Sequence, residues 1–231
     1  MYHNIASITQ LFRLPARCNL CNQHHDSKIA ICAECLFIFK KLGPACRHCA
    51  HPLPDDFFLV CGHCCRKKPY IDLVRTAYCF EEPLRSLLHE FKYREGLYLL
   101  STLGQLMMDA LPKKTLQTEC LIPVPMHPKR LSHRGFNQAA ELTKYVGRVL
   151  KLPYELSYCK KINNTPPQAH LKAKERQTNL KDAFQAKSKS YQHVTLIDDL
   201  MTTGNTANEL ARILKKQGVV QVDLWCIARA T

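Results

Sequence analysis

Four Cys-x-x-Cys pairs near the start of the chain constrain its fold more than any other feature, and they are Cys18/Cys21, Cys32/Cys35, Cys46/Cys49 and Cys61/Cys64. A two-residue turn points both thiolates at one metal ion, and a structural zinc site needs four such ligands in a tetrahedron. A thioredoxin-like redox pair would instead need a βαβ context, which this region lacks. The spacing therefore predicts structural zinc. Two sequential four-cysteine sites are the favoured grouping, and an interleaved cross-brace is the alternative.

We expect zinc to fold a region that is too small to be held together by apolar burial. A site saturated by four cysteines has no open position for a substrate, so neither site is read as catalytic. Cys65 stands beside Cys64 and is expected to be a bystander. His48, His51 and His63 are spare ligands in principle or solvated loop residues.

The composition describes a basic chain that can form a core. Of its 231 residues, 46% are hydrophobic and 23% are charged, which excludes disorder by composition. The net charge is +14 with histidine neutral. A surplus of this size favours polyanionic partners such as nucleic acid, nucleotides or acidic phospholipid, and it says nothing about the fold.

The compartment is predicted from what the chain lacks and from its cysteines. No apolar run approaches the roughly 18 to 20 residues that a membrane span needs. The first residues contain neither an apolar segment nor a small-residue cleavage site, which argues against a secretory signal. Thirteen cysteines without an export signal indicate a reducing compartment. The sequence therefore predicts a cytoplasmic protein without a membrane span.

The residue pattern changes near Lys68-Pro69-Tyr70, where we place a domain boundary. Residues 1–70 are predicted to form a double zinc-ribbon-like domain. Residues 71–231 alternate strand-like and helix-like segments, which predicts an α/β domain with a mostly parallel sheet. The predicted strands are 72–80, 120–125, 156–162, 193–197 and 219–228, and the predicted helices are 83–94, 97–111, 136–150 and 204–217.

The segment 198–206 has the pattern of a phosphate-binding loop. Asp198 and Asp199 end a buried strand, and a short run of threonines around Gly204 leads directly into a helix. Ligands of α/β sheets bind at the carboxyl ends of strands, and a helix amino terminus offers free N–H groups to a phosphate. Two carboxylates at this place suit ribose hydroxyls or a magnesium ion. The segment lacks the Gly-Lys-Ser/Thr of a Walker loop. The alternative without a ligand is an ordinary helix start that is capped by threonine.

This segment resembles the phosphoribosyl diphosphate motif of type I phosphoribosyltransferases. Residues 121–138, with the run Arg134-Gly-Phe-Asn-Gln, are similar to the signature of the ComF family of competence proteins. The cysteine-rich region fits that family too, so the resemblance covers nearly the whole chain. Further stretches that resemble the family are Phe91-Lys92-Tyr93, Thr165-Pro-Pro-Gln168, Arg176, Asn179 and Ala183-Phe184.

The resemblance implies a role for each matching residue. Asp198 and Asp199 would contact the 2′- and 3′-hydroxyls of the ribose. The loop formed by Thr202, Thr203, Gly204, Asn205 and Thr206 would hold the 5′-phosphate. The loop after an earlier strand, with Pro125, Met126 and His127, would face the pyrophosphate.

Three cations follow that loop, and cations can neutralise a diphosphate leaving group. They are Lys129, Arg130 and Arg134, which stand on what the sequence presents as a proline-terminated loop. The alternative is a solvated basic loop. Family members often carry arginine where this chain has Asn163 and Asn164, with Lys160 and Lys161 just upstream. Two residues, Gln168 and Arg176, are then either acceptor-site residues or structural anchors.

The sequence thus predicts a magnesium-dependent, phosphoribosyltransferase-like protein with a zinc-ribbon domain. The resemblance implies a role in natural transformation that involves incoming single-stranded DNA. It also implies other competence proteins as partners, such as a helicase or a recombination mediator. The rival from another class is a non-enzymatic DNA-binding or adaptor protein that uses the phosphate loop only for binding. A thiol redox protein is the least favoured reading.

Overall fold

The structure is a computed structural model that describes residues 16–26, 30–112, 117–162, 183–188 and 191–230. The chain separates into two compact units, Met1–Ile38 and Phe39–Thr231. The larger unit contains the second two Cys-x-x-Cys pairs as well as the sheet. The division into domains at residue 70 stays a prediction.

The smaller unit surrounds the first two cysteine pairs. Strands β1 (Ala16–Arg17) and β2 (His24–His25) pair antiparallel, and the short helix α1 spans Ala33–Phe37. Cys18 directly follows β1, and Cys32 is the N-cap of α1. The strand pair therefore positions the thiol of Cys18, and the start of α1 positions the thiol of Cys32.

The larger unit holds the remaining elements. Its helices are α2 (Gly62–Arg66), α3 (Leu84–Glu90), a 3-10 helix (Arg94–Leu99), α4 (Leu100–Met108), α5 (Pro128–Arg134), α6 (Gln138–Leu150) and α7 (Asn205–Lys216). Its strands are β3 (Leu73–Arg75), β4 (Tyr78–Cys79), β5 (Cys120–Pro123), β6 (Cys159–Lys161), β7 (Phe184–Ala186), β8 (His193–Ile197), β9 (Leu200–Met201), β10 (Gln221–Trp225) and β11 (Ala228–Arg229).

The main sheet has the order β3-β10-β8-β5, and all of its strands are parallel. In β8 the residues from Val194 to Ile197 have no exposed surface, as parallel strands covered on both faces require. Helix α6 packs against β5 and β8, and α7 packs against β10. The segment β8–α7–β10 is a βαβ unit, since its two strands are parallel neighbours joined through a helix.

Helix α7 owes its place to its apolar spacing. Ala207, Leu210, Ala211 and Leu214 follow the i, i+3, i+4, i+7 pattern and are all buried. The last turn carries Lys215 and Lys216, where cations interact favourably with the helix dipole. The amphipathic pattern therefore fixes which face of α7 is buried.

Three strands of the main sheet are broken for two residues at the same level and then continue as a second parallel sheet of order β4-β11-β9. The breaks are at residues 76–77, 226–227 and 198–199. The sequence predicts single strands over 72–80 and 219–228, and the structure divides each of them in two. The sequence cannot reveal the division, since neither Thr76-Ala77 nor Cys226-Ile227 contains a glycine or proline that would signal a break.

The segment after β5 is a helix rather than the proline-terminated loop that the sequence indicates. Pro128 takes the first position of α5, where its missing N–H costs nothing. The ring nitrogen Nδ1 of His127 accepts a hydrogen bond from the N–H of Lys129 at 3.2 Å and caps the helix. Gly135 has φ of 86° and ends it.

The α/β fold with mostly parallel sheets, preceded by a cysteine-rich region, is confirmed. None of the helices in the described ranges combines the length and the apolarity that crossing a membrane requires.

Because β8 lies in the middle of the main sheet, we expect the loss of a buried side chain from it to destabilise the fold strongly. We expect Leu196→Ala to lower the free energy of unfolding by about 2–5 kcal/mol, because the buried side chain leaves a void when it is removed. Leu59→Ala is the matched control, since Leu59 is 64% exposed and should change stability by less than about 0.5 kcal/mol. Urea unfolding of both variants measures the difference. Equal effects would contradict the placement of β8 in the core.

Candidate functional site

The end of β8 and the end of β5 meet at one edge of the sheet. The parallel register pairs Pro123 with Ile197, and the N–H of Val124 donates to the carbonyl of Ile197 at 2.9 Å. Asp198 and Asp199 occupy the break that follows β8. The loop after β5 therefore lies beside the carboxylate pair.

A cavity of about 250 Å³ opens at this edge. Its charged lining consists of four cationic side chains and two carboxylates, which are Lys92, Arg130, Arg134, Lys161, Asp198 and Asp199. Met126, His127 and Thr206 also line it. A polyanion that also carries hydroxyl groups suits such a lining, because hydroxyls can donate to the carboxylates while the cations neutralise the anion.

The Asp199 carboxylate opposes the ionisation of Asp198. The N–H of Asp199 donates to Oδ1 of Asp198 at 3.0 Å. Burial, together with the negative charge of Asp199, raises the pKa of Asp198 well above its usual range, and the positive charge of Lys92 only partly offsets this. A ligand that offers hydroxyl donors or a cation to this pair would relieve the repulsion.

Helix α5 delivers two of the cations. Arg130 and Arg134 are four residues apart, so they share one helix face and both line the cavity. Lys129 is on another face, is exposed and does not line the cavity. Arg134 donates to Oε1 of Gln138 at 3.0 Å, and the side-chain N–H of Gln138 donates to the carbonyl of Lys92 at 3.1 Å. This chain of hydrogen bonds holds Arg134 and the backbone at Lys92 together.

His127 both caps α5 and lines the cavity. Its Nδ1 accepts the cap hydrogen bond, so in the neutral ring Nε2 carries the proton. Burial and the positive charges of Lys161, Lys129 and Arg130 lower its pKa. The neutral ring is therefore the favoured form at neutral pH.

The loop between β9 and α7 forms a small depression of about 40 Å³ next to Asp198. Thr202, Gly204, Asn205 and Thr206 line it. Gly204 has φ of 74°, caps α7 without a side-chain hydrogen bond, and a Cβ there would meet the Met201 side chain. The first N–H groups of a helix have no intrahelical partner, so this depression is suited to a phosphate.

Thr203 does not line the depression. It lines a second cavity of about 350 Å³ together with Lys67, Lys68 and Tyr70, and Gly204 and Asn205 line both spaces. Of the predicted loop residues, the structure thus brings four to the depression and turns one away.

Two cations of the first cavity were not predicted as site residues. Lys92 is part of the Phe-Lys-Tyr stretch and Lys161 ends β6. Lys161 follows Lys160 and precedes Ile162, and no local pattern in the sequence distinguishes it from its exposed neighbour. The predicted acceptor-site candidates Gln168 and Arg176 lie outside the described residues.

The cysteines form two sequential groups, Cys18, Cys21, Cys32 and Cys35 in one unit, and Cys46, Cys49, Cys61 and Cys64 in the other. Within each group the four Sγ atoms lie within 4.8 Å of one another. The Sγ atoms of Cys49 and Cys61 are 3.7 Å apart, as are those of Cys21 and Cys32. A zinc–sulfur bond of about 2.3 Å implies sulfur–sulfur distances of about 3.8 Å in a tetrahedron. Each group could therefore hold a metal ion.

The thiols of the second group ionise unequally. Burial opposes ionisation of Cys46, but backbone N–H groups at Cys61, His48 and Cys49 outweigh it and lower its pKa to about 7. Burial and the negative charge of Cys46 raise the pKa of Cys49 to about 11. Four thiolates in this space need a cation among them, which agrees with the metal-ligand geometry.

One guanidinium connects this second group to the phosphate loop. Arg229 donates through Nε to the carbonyl oxygen of Cys49 at 2.9 Å and through Nη1 to the carbonyl oxygen of Met201 at 3.3 Å. The same nitrogen also donates to the carbonyl oxygens of Thr202 and Ala230. No local pattern in the sequence indicates this role.

Comparisons with known proteins place three relatives alongside the chain. It is 36% identical over 224 residues to competence protein F of Haemophilus influenzae, which covers 93% of this chain and 97% of that protein. It is 28% identical over 226 residues to DNA utilization protein YhgH of Escherichia coli K12, with coverage of 95% and 99%. It is 27% identical over 202 residues to competence protein ComFC of Bacillus subtilis, with coverage of 81% and 79%. No protein-family model matches the chain.

Two solved structures overlap the chain partially. Glutamine phosphoribosylpyrophosphate amidotransferase from B. subtilis, complexed with ADP and GMP, aligns with a TM-score of 0.39 and 15% identity over 59% of this chain and 30% of that one. Hypoxanthine phosphoribosyl transferase of Trypanosoma cruzi aligns with a TM-score of 0.30 and 10% identity over 62% and 64%. This chain thus spans less than two thirds of either protein.

The cation cluster predicts a pH-dependent affinity for anions. Burial and the charge of Arg130 lower the pKa of Lys161 to about 8. A bound anion favours the protonated ammonium, so binding takes up protons near pH 8 and weakens as the pH rises further. Calorimetric titration with inorganic pyrophosphate, in buffers of different ionisation enthalpy, measures the uptake.

We expect Lys161→Gln to remove that proton uptake and Lys160→Gln to retain it. Lys160 is the exposed neighbour, so both variants lose one charge from the same strand. The protonation of pyrophosphate itself is the same in all three proteins and cancels in the comparison. Equal proton uptake by all three would contradict a role for Lys161 in the cavity.

Proposed function

The chain belongs to the ComF family of competence proteins, and we propose that it binds phosphoribosyl diphosphate with Mg²⁺ as a phosphoribosyltransferase-like protein that handles single-stranded DNA during natural transformation. The observation that carries the proposal is the cavity in which a carboxylate pair faces four cations. The names of its relatives support the setting: one is a competence protein F and another a DNA utilization protein.

The chemistry of the lining matches the parts of this ligand. Asp198 and Asp199 would accept hydrogen bonds from the 2′- and 3′-hydroxyls of the ribose. The depression at the start of α7 would hold the 5′-phosphate, since free N–H groups and threonine hydroxyls converge there. Arg130 and Arg134 would face the diphosphate across the cavity.

In a transfer reaction the bond between C1′ and the diphosphate oxygen would break, and its electron pair would leave with the diphosphate. A nucleophilic atom of the acceptor would form the new bond to C1′ and release its proton. Positive charge then develops at C1′, and the negative charge on the leaving group grows. Arg130, Arg134 and Lys161 would stabilise that growing charge, while Asp198 and Asp199 hold the sugar in position. Mg²⁺, when bound with the diphosphate, supplies further charge neutralisation.

The cysteine groups would each bind a structural zinc ion. In both groups one cysteine is the N-cap of a short helix, Cys32 for α1 and Cys61 for α2. Helices of this length are unstable alone in water, so the metal would fix them. We place the protein in the cytoplasm, where other competence proteins, such as a helicase or a recombination mediator, would be its partners.

Binding of the diphosphate is tested by calorimetric titration with Mg²⁺ and phosphoribosyl diphosphate. We expect Asp199→Asn and Arg130→Gln each to weaken binding by about tenfold or more, because each removes a hydrogen bond that involves a charged group. Asp56→Asn, a change at an exposed carboxylate outside the cavity, should bind like the parent protein. No heat of binding to the parent protein, or unchanged affinity in Asp199→Asn, would refute the proposal.

The variant Asp198→Asn distinguishes a loss of binding from a loss of stability. The raised pKa of Asp198 means that its ionised form destabilises the folded state at neutral pH. Asp198→Asn removes that charge, so it should weaken binding and keep or raise the melting temperature. The gain in stability should shrink as the pH falls toward the pKa of an unfolded aspartate.

Single-stranded DNA would bind in the second cavity. Lys67 and Lys68 are exposed at its rim, and Tyr70 is 47% exposed and available for stacking on a base. The N–H of Tyr70 donates to Oδ1 of Asn208 at 2.6 Å, which fixes the segment to α7. The net charge of +14 favours the same partner.

We expect the double variant Lys67→Gln/Lys68→Gln to weaken binding of a labelled single strand. The slope of log affinity against log salt should fall by about 0.7 for each lost phosphate contact. The control Lys187→Gln/Lys216→Gln loses the same charge at exposed lysines that do not line the cavity and should keep the slope. Fluorescence anisotropy at several salt concentrations measures it, and equal slopes in both double variants would refute this surface.

Together, the DNA-binding and calorimetric measurements distinguish the proposed function from that of a DNA-binding adaptor. A protein that binds single strands through Lys67 and Lys68 but shows no heat with phosphoribosyl diphosphate would be a DNA-binding adaptor, not a transferase.

A further inference from the structure

The Arg229 side chain ties two distant parts of the larger unit together. In β11 its backbone pairs with Met201 of β9, while its guanidinium contacts the carbonyl oxygens of Met201 and Thr202 at the start of the phosphate loop. Its Nε reaches the carbonyl oxygen of Cys49 at 2.9 Å. A single side chain therefore fixes the distance between the second cysteine group and the loop.

Only arginine can make this connection. The guanidinium is a rigid plane with five N–H donors, whereas a lysine ammonium is a single point on a flexible stem. The side chain is also half-buried, and carbonyl oxygens replace the water that it loses. Four thiolates around one Zn²⁺ carry a net charge of about −2, which further favours a cation at this place.

The cysteine end of this connection is set by the fold of the metal-ligand turn. Cys49 follows Cys46 in a tight turn in which the N–H of Ala50 donates to the carbonyl oxygen of Cys46 at 2.7 Å. Ala50 takes a positive φ of 51°, which few residues adopt without support. The position of the Cys49 carbonyl therefore depends on this turn, which a metal ion held by the four Sγ atoms would fix.

We propose that Arg229 is a positioning residue that couples the second cysteine group to the phosphate loop, so that loss of metal from this group loosens the loop. The consequence for anion affinity rests on the proposed binding of phosphoribosyl diphosphate, and the effect of metal loss rests on the proposed zinc sites. Coupling of this kind is reciprocal, so an anion bound at the loop also retains the metal.

Hydrogen–deuterium exchange of the metal-loaded, ligand-free protein tests the coupling without any substrate. We expect Arg229→Gln and Arg229→Lys to accelerate exchange in peptides spanning 199–204 by about tenfold or more, as loss of a hydrogen bond to a charged group implies. Peptides spanning 193–197 in β8 serve as the internal reference. Arg212→Gln is the matched control, because Arg212 lies on α7 and contacts Glu209 at 2.6 Å.

The effect of metal loss is tested by replacing one cysteine of each group. Cys61→Ser and Cys32→Ser should each reduce the zinc content by about one ion per chain, and only Cys61→Ser should accelerate exchange in 199–204. The parent protein provides the reverse measurement: saturating pyrophosphate should slow the transfer of one of its two zinc ions to a chromogenic chelator. Arg229→Lys, which keeps all eight thiols, should lose that protection.

Unchanged exchange of 199–204 in both Arg229 variants overturns the proposal. Equal acceleration in Cys32→Ser, or acceleration of β8 to the same extent as the loop, overturns it as well, because either result makes Arg229 a general stability residue. A protein that fails to bind phosphoribosyl diphosphate but shows the selective change in exchange refutes the proposed function and leaves the coupling standing.

Discussion

The parallel register between β5 and β8 is the constraint on which the site depends. Pro123 faces Ile197, so the chain leaves both strands at the same edge of the sheet. Much of the cavity lining then follows these two strands directly: the cations of α5 come after β5, and the carboxylates and the loop before α7 come after β8. A shift of one strand by two residues would move the arginines by about 7 Å relative to the carboxylates.

The site accumulates charge at a cost to the fold. Lys161 is pushed toward its neutral form by burial and by Arg130, and Asp198 is pushed toward its neutral form by burial and by Asp199. Neutral hydrogen bonds hold the frame in place: Asn137 donates to the carbonyl of Val124 at 3.1 Å, and Gln138 donates to that of Lys92. This arrangement is typical of a binding site in which a ligand completes the electrostatic balance.

Much of this structure could be predicted from local patterns. The strand at 193–197, the helix that follows the phosphate loop and the sequential grouping of the cysteines follow from apolar runs, caps and Cys-x-x-Cys spacing. The predicted zinc-ribbon boundary near residue 70 is not tested by the structure, whose compact units divide after Ile38. Residues whose position depends on long-range packing were harder to find. Lys92 and Lys161 become site residues only when α3 and β6 are placed beside the sheet edge.

The helix α5 was missed for a different reason. Its seven residues contain proline, serine and four basic or imidazole side chains, and no apolar period. Its stability comes from Pro128 at the first turn, the His127 cap and Gly135 at the end, which are single-residue signals. The contacts of Arg229 could not be predicted from the sequence, because no local pattern around an arginine in a short strand indicates which distant residue it contacts.

The contact between Cys49 and Arg229 spans 180 residues of sequence and therefore has a consequence for biosynthesis. On the ribosome, the four cysteines of the second group emerge early, long before residue 229 is translated. The loop at the carboxylates is translated much later, and its anchor is translated later still. The linkage between the cysteine turn and the loop at residues 199–204 can therefore form only after β11 has joined the sheet, which makes it one of the last contacts of the larger unit to be completed.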